Sequence, residues 1–231
     1  MLIPADREPN QYAPGDSLTL SLRLFGDSHR YLPYLIHGLQ RAGDSGLGHS
    51  HGRALLIGLD QQTLDGQWRT VYLPGNSQLD AHPPQTPSLP ACPSQICINL
   101  ITPLRHRRQE RLVGPRDFTF IDLFGPLLRR LSLVSYFHSN TPLEVDFSGL
   151  MNAARQVPLL AASLHWHEWA RYSSRQESLI QMGGLVGEII LEGAKIAPFW
   201  PYLNLGQYFH VGKGAVMGLG QYTLEPVHPV S

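Results

Sequence analysis

Side chains able to hold an anion or move a proton gather near the C-terminal end of this 231-residue chain. The run 209–224, FHVGKGAVMGLGQYTL, sets His210 and Lys213 among Gly212, Gly214, Gly218 and Gly220. Glycine accepts positive φ and has no Cβ, so such a loop can aim successive backbone N–H groups at an anion and let a polyanion's backbone lie close. Lys213 and His210 would then stand beside that anion. No Ser or Thr follows the Gly-Lys pair, and the residues that come next read as a strand, which argues against a nucleoside-triphosphate loop.

A second glycine-rich loop lies at 43–53, GDSGLGHSHGR, with His49 and His51 flanking Ser50. It too follows an apolar, helix-like stretch (31–42) and runs into a strand-like one (54–59). Two copies of helix, glycine loop and strand on either side of a proline-rich spacer read as a duplicated module. The plainer alternative is that Gly46 and Gly48 only end a helix. His49 and His51 would serve a phosphate or be solvated turn residues.

Three further groups carry charge or rings. Arg105, His106, Arg107, Arg108 and Arg111 form the densest basic run. Arg171, Tyr172 and Arg175 combine guanidinium forks with a stacking ring, or else form a surface strand paired with Glu168 or Glu177. In an extended strand His165 and His167 face one way and Trp166 the other, a wet face opposite a core ring. Cys92 and Cys97 give no disulfide framework and read as small buried thiols.

The elements that must position these groups follow from periodicity. Residues 18–24 alternate as a half-buried strand, 31–42 form a short helix and 54–59 a strand. Five prolines between 83 and 93 exclude a regular helix and mark a linker. Beyond it, 96–104 read as a strand, 117–137 as a long helix, 147–154 as a short helix, and 159–173 and 185–192 as strands. A helix at 198–207, the glycine loop and a strand at 215–224 close the chain. The division is 1–78, a partial N-terminal domain; 79–93, the linker; and 94–231, a complete C-terminal domain.

Lys plus Arg and Asp plus Glu are 18 each, so no global field draws the chain to nucleic acid, and RNA contact must come from local patches. No apolar run is long enough to cross a bilayer, and no signal-peptide pattern is present, so the expected setting is cytoplasmic.

The stretch 12–59, with Pro14-Gly15-Asp16 and Gly46-Leu47-Gly48, resembles the CRISPR repeat-processing endoribonucleases of the RAMP superfamily. The resemblance is strongest at Thr102-Pro103-Leu104-Arg105, Leu128-Arg129-Arg130-Leu131, the segment from Trp169 to Gln176, Gly183-Gly184-Leu185-Val186-Gly187, and 210–220. It implies an α+β chain of tandem ferredoxin-like (RRM-like) domains with antiparallel sheets, the first incomplete and the second complete. It also implies an enzyme that binds the hairpin repeat of precursor CRISPR RNA and cuts it without a metal or other cofactor. The ribose 2′-hydroxyl attacks and a 2′,3′-cyclic phosphate is left. The family usually opens with a strand, a helix and a strand that this chain starts too late to contain, and in many relatives the catalytic histidine lies on that helix.

In-line attack needs a base, an acid and a cation for the extra charge on phosphate. His210 and Lys213 offer two of the three, with His49 and His51 next, although His210 would also serve as an RNA grip or a helix-end cation. The RNA-binding set is Gly212, Lys213, Gly214, Gly218, Gly220, Arg171, Tyr172, Arg175, Arg105, Arg107 and Arg108. The sheet lacks the aromatic consensus with which RRM domains stack bases, so RNA would be held by loops and the groove between domains. No membrane or DNA partner is expected. Two other readings stay open: a non-catalytic RAMP subunit that binds repeat RNA within a CRISPR effector complex, and an unrelated ferredoxin-like interaction domain.

Overall fold

The computed structural model describes residues 1–3, 11–48, 50–76, 78–139, 141–173 and 177–227. Its strands in chain order are β1 (Leu2–Ile3), β2 (Ser21–Leu22), β3 (Leu59–Gln62), β4 (Trp68–Tyr72), β5 (Gln95–Leu104), β6 (Arg107–Arg108), β7 (Arg111–Leu112), β8 (Ala161–His167), β9 (Ala170–Ser173), β10 (Ser178–Gln181), β11 (Gly184–Glu192) and β12 (Tyr222–Pro226). The helices are α1 (Leu32–Ser45), α2 (Phe120–Ser139), α3 (Phe147–Ala154), α4 (Gly193–Ile196) and α5 (Trp200–Phe209). Two compact units result, Met1–Arg23 with Leu89–Ser231, and Leu24–Ser88. None of these helices is long and apolar enough to cross a membrane.

In the larger unit β12, β5, β11 and β8 lie side by side in that order, every pair antiparallel. With α2 between β5 and β8 and α5 between β11 and β12, this is a complete βαββαβ ferredoxin-like arrangement. Alternation drives it: Ile96, Ile98 and Leu100 of β5 are buried with Ile189 and Leu191 of β11, while Cys97 and Asn99 between them are only partly buried. Leu123, Phe124, Leu127 and Leu128 of α2 and Leu203 of α5 fill the same core. Phe120, Phe124 and Phe199 lock the layer, with the Phe124 and Phe199 centroids 4.7 Å apart and edge to face.

α2 starts three residues later than the sequence pattern suggests, because a Thr-x-x-Asp pair fixes its first turn. Asp122 accepts the N–H of Thr119 at 2.9 Å and its hydroxyl at 2.7 Å. The strand expected over 159–173 divides into β8 and β9. β8 pairs with β11 only as far as His167, after which the chain leaves the sheet into the β9–β10 hairpin. The last strand begins at Tyr222 rather than 215, since Gly214, Gly218 and Gly220 hold φ of 82°, 93° and 69°, outside the range of a strand. The glycine loop, the β6–β7 hairpin and the β9–β10 hairpin thus all extend from one end of the sheet.

The smaller unit holds α1 and the β3–β4 hairpin, and among its described residues Ile36 and Val71 are the only fully buried large apolar side chains. Of the strand expected over 54–59 only Leu59 is paired, as the start of β3; the side chains of 54–58 alternate, with Leu55 and Ile57 exposed, but no neighbour among the described residues supplies a ladder. Of the strand expected at 18–24, Ser21 and Leu22 pair with β1 among the described residues. Residues 79–93 carry no helix or strand, and from Leu89 onward the chain belongs to the larger unit, where Trp200 Nε1 donates to Pro90 O at 2.7 Å.

Gly220 marks where the fold is least tolerant. A Cβ there would sit 1.7 Å from Val211 O at a φ of +69°. Gly220→Ala should therefore cost about 4 kcal/mol or more of unfolding free energy. Gly66→Ala, with φ +84° and nothing within 4 Å, should cost about 1–2 kcal/mol. Denaturant titration of both variants checks the contrast; equal losses would contradict it.

Candidate nucleic-acid interface

The glycine loop is tied to the end of β5 by backbone and hydroxyl groups. Lys213 N–H donates to Arg105 O at 2.8 Å and Gly220 N–H to Pro103 O at 3.1 Å. Thr102 Oγ1 donates to Gly218 O and accepts Gln221 N–H, both at 2.8 Å. Val211 N–H closes the loop onto Gly220 O at 2.9 Å. Gly212 and Gly214, with φ of 86° and 82°, flank the exposed Lys213, and no acceptor among the described residues takes their N–H groups. A Cβ on Gly212 would lie 2.6 Å from Arg105 O, so only glycine lets the two segments approach this closely. Two amides without an internal partner beside an exposed ammonium are the chemistry that an anion site requires.

His210 sits beneath this loop, and its ring is sealed. The residue has 0% exposure, caps α5 with a φ of 57°, and neither ring nitrogen finds a hydrogen-bond partner. Burial lowers its pKa to about 4, with the charges of Arg23 and Arg130 acting the same way and the nearby Gly218 and Leu219 backbone only partly opposing them. The two arginines serve the C-terminus of α5. Arg23 donates to Gln207 O and Tyr208 O, and Arg130 to Phe209 O.

The basic run is largely committed to structural bonds. Arg105 donates to Gln181 O, Arg107 pairs with Glu110 at 3.6 Å, and Arg108 reaches the Asp122 carboxylate at 3.1 Å. The side chain of Arg111 is exposed and unpaired among the described residues. Asp122, 2% exposed, also lies 3.8 Å from His106 Nε2. Burial holds the His106 pKa below the usual imidazole value, Asp122 works against that, and Arg108 adds to it. His106 is neutral at pH 7, partly exposed, and follows the residue whose carbonyl anchors Lys213. Sequence reading counted it only as part of the basic run; the Thr-x-x-Asp signature of Asp122 was the available clue to its partner.

The other sequence-derived candidates distribute as follows. Gly218 and Gly220 are buried supports of the loop. Arg171 and Tyr172 lie on β9, where only their backbone is described, and Arg175 and His49 lie outside the described residues. His51 is exposed in the smaller unit at a φ of 51°. His165 and His167 are exposed on β8, and Trp166 between them packs on the core. Cys92 and Cys97 are free and partly buried.

A family model for the CRISPR-associated endoribonuclease Cas6 matches residues 98–222. The match takes in more than half of the chain and its whole glycine loop, and the chain belongs to the Cas6 family. A second model, for an N-terminal domain, matches residues 1–84. Among solved structures, a histidine-to-alanine mutant of a Cas6 is 18% identical over 89% of this chain and 77% of its own, with a TM-score of 0.44. A Thermus thermophilus Cas6 is 16% identical over 58% of this chain and 55% of its own, with a TM-score of 0.43. A Cas6 product complex is 19% identical over 58% and 53%, with a TM-score of 0.40. The chain thus spans little more than half of the latter two. No curated protein matches it.

His210 generates a pH signature. Its folded pKa near 4 lies below the unfolded value of about 6.5, so between those values the unfolded chain binds the extra proton and stability rises with pH. The contribution is fully present above about pH 6.5 and lost as pH falls toward 4, about 3 kcal/mol in all. His210→Asn, which tolerates positive φ, should flatten that part of the stability–pH curve relative to the parent. Parallel curves for the two proteins, measured by denaturant midpoint from pH 7 to 4, would contradict the assignment.

Proposed function

We propose that this chain binds the repeat hairpin of precursor CRISPR RNA and cleaves it by attack of a ribose 2′-hydroxyl, without a metal ion. The observation that carries the reading is the pair of unclaimed amides at Gly212 and Gly214 around Lys213, on a chain of the Cas6 family. A phosphate seated there meets three donors and one full charge, which favours the dianionic transition state over the ground state. The 2′-oxygen forms a bond to phosphorus as its proton leaves to a base, the bond from phosphorus to the 5′-oxygen breaks, and that oxygen takes up a proton. The products are a 2′,3′-cyclic phosphate and a 5′-hydroxyl.

The base we assign is His106. It is neutral at pH 7 and accessible, and Asp122 stabilises the imidazolium that forms. His210 can take that part only if the loop opens, since its ring has no exposure. The second reading, a non-catalytic RNA-binding subunit, uses the same loop without a base.

Cleavage of a radiolabelled repeat should persist in EDTA and stop when the nucleotide 5′ of the cut is 2′-deoxy. His106→Ala should slow single-turnover cleavage roughly a hundredfold while hairpin affinity stays within about twofold. An equal loss in His210→Asn with His106→Ala unaffected would transfer the role, and no cleavage by the parent chain would favour the binding subunit. Lys213→Ala should remove about one unit from the log–log salt slope of hairpin binding. An unchanged slope would take Lys213 off the phosphate.

A further inference from the structure

Beside the glycine loop, at the root of the β9–β10 hairpin, lies an open cavity of about 640 Å³ whose walls include Arg105, Trp166, Glu168, Trp169, Gln181 and Gly183. Two indoles in one cavity next to a cation are unusual on a chain with four tryptophans in all. The cavity is built rather than incidental. Trp166 Nε1 donates to Glu168 Oε1 at 2.8 Å, and the Arg105 guanidinium is fixed on Gln181 O. A Cβ on Gly183 would fall 2.9 Å from both Glu168 Oε2 and Trp166 Nε1, so glycine is what admits this pair. Trp169, partly exposed, is held by its carbonyl, which accepts Met182 N–H at 2.6 Å.

We infer that this cavity receives one unpaired nucleobase of the bound RNA, with a preference for guanine. An indole face stacks on any base. Glu168 then selects among them, because Oε1 is engaged by Trp166 while Oε2 accepts from no donor among the described residues. A carboxylate accepts only, and guanine sets N1–H and N2–H side by side on one edge. Adenine and cytosine offer a single amine, and the uracil N3–H is flanked by two carbonyls that a carboxylate repels. Arg105 joins the cavity to the anion site, since its side chain lines the one and its carbonyl anchors Lys213 in the other. The inference rests on the RNA-binding reading above and assigns that site a single-stranded nucleotide next to the phosphate held by the loop.

The test titrates the full chain with the pentaribonucleotides UUGUU, UUAUU, UUCUU and UUUUU, read by quenching of tryptophan fluorescence. UUGUU should bind about fivefold or more tighter than UUUUU, and Trp169→Ala should weaken UUGUU by about tenfold. Trp169→Phe, which keeps a stacking face, should retain most of the affinity. Glu168→Gln should erase the guanine preference by weakening UUGUU, and UUUUU, no longer facing a carboxylate, should bind no more weakly than to the parent. Equal affinity for all four pentamers, or Trp169→Ala binding UUGUU as the parent does, would overturn the inference. Because no hairpin or cleavage enters, a guanine preference in a chain that cuts no repeat would sink the endonuclease reading and keep the pocket. Repeat cleavage without any preference would do the reverse.

Discussion

The hydrogen bonds that hold the glycine loop against the last residues of β5 are the constraint on which the rest depends. Thr102, Pro103 and Arg105 present two carbonyls and a hydroxyl, and the loop answers with the amides of Lys213, Gly220 and Gln221 and the carbonyl of Gly218. Each such bond adds only about 1 kcal/mol net, but any of these groups left buried without its partner would cost more. The approach distance they impose excludes a Cβ at Gly212, which would meet Arg105 O, and the loop's own closure excludes one at Gly220, which would meet Val211 O. The same geometry leaves the Gly212 and Gly214 amides without an acceptor among the described residues, and it is on this anchoring that the proposed anion site rests.

Charge is arranged to protect that outcome. Burial, and after it the charges of Arg23 and Arg130 on the last carbonyls of α5, keeps His210 neutral beneath the loop, so the loop rests on a packed ring rather than a hydrated cation. Arg108 compensates the buried Asp122, which in turn begins α2 and stands beside His106. On a chain with no net charge, most guanidinium groups near the interface are thus spent on structure. Among the described side chains there, the unpaired positive charge is that of Lys213 and Arg111, which makes their position matter more than the number of basic residues.

Much of the larger unit was legible because its residues obey one period at a time. β5, β11, α2 and α5 bury one face each, and their alternation or helical spacing states it within a few residues of the true ends. The glycine loop was legible for a different reason: four glycines so close together fit no regular element. What escaped were features made by residues far apart in the chain. Part of the shift at His210 depends on Arg23 and Arg130, the role of Arg108 on Asp122, and the tryptophan cavity on segments near 105, 166 and 181. Residues 54–58 carry a strand's alternation without a strand, because pairing requires a neighbour that a local pattern does not name. Family resemblance pointed correctly to the Cas6 type, and its histidine assignments are the part most dependent on tertiary surroundings.

The central claim is that the Gly212 and Gly214 amides grip a phosphate of the RNA. Two-dimensional NMR of the chain labelled with ¹⁵N-glycine resolves those two amides directly. On addition of the repeat RNA both should move downfield in a saturable way, while Gly218 and Gly220, buried beneath the loop, shift little. Unmoved Gly212 and Gly214 resonances under conditions where the RNA is bound would contradict the account.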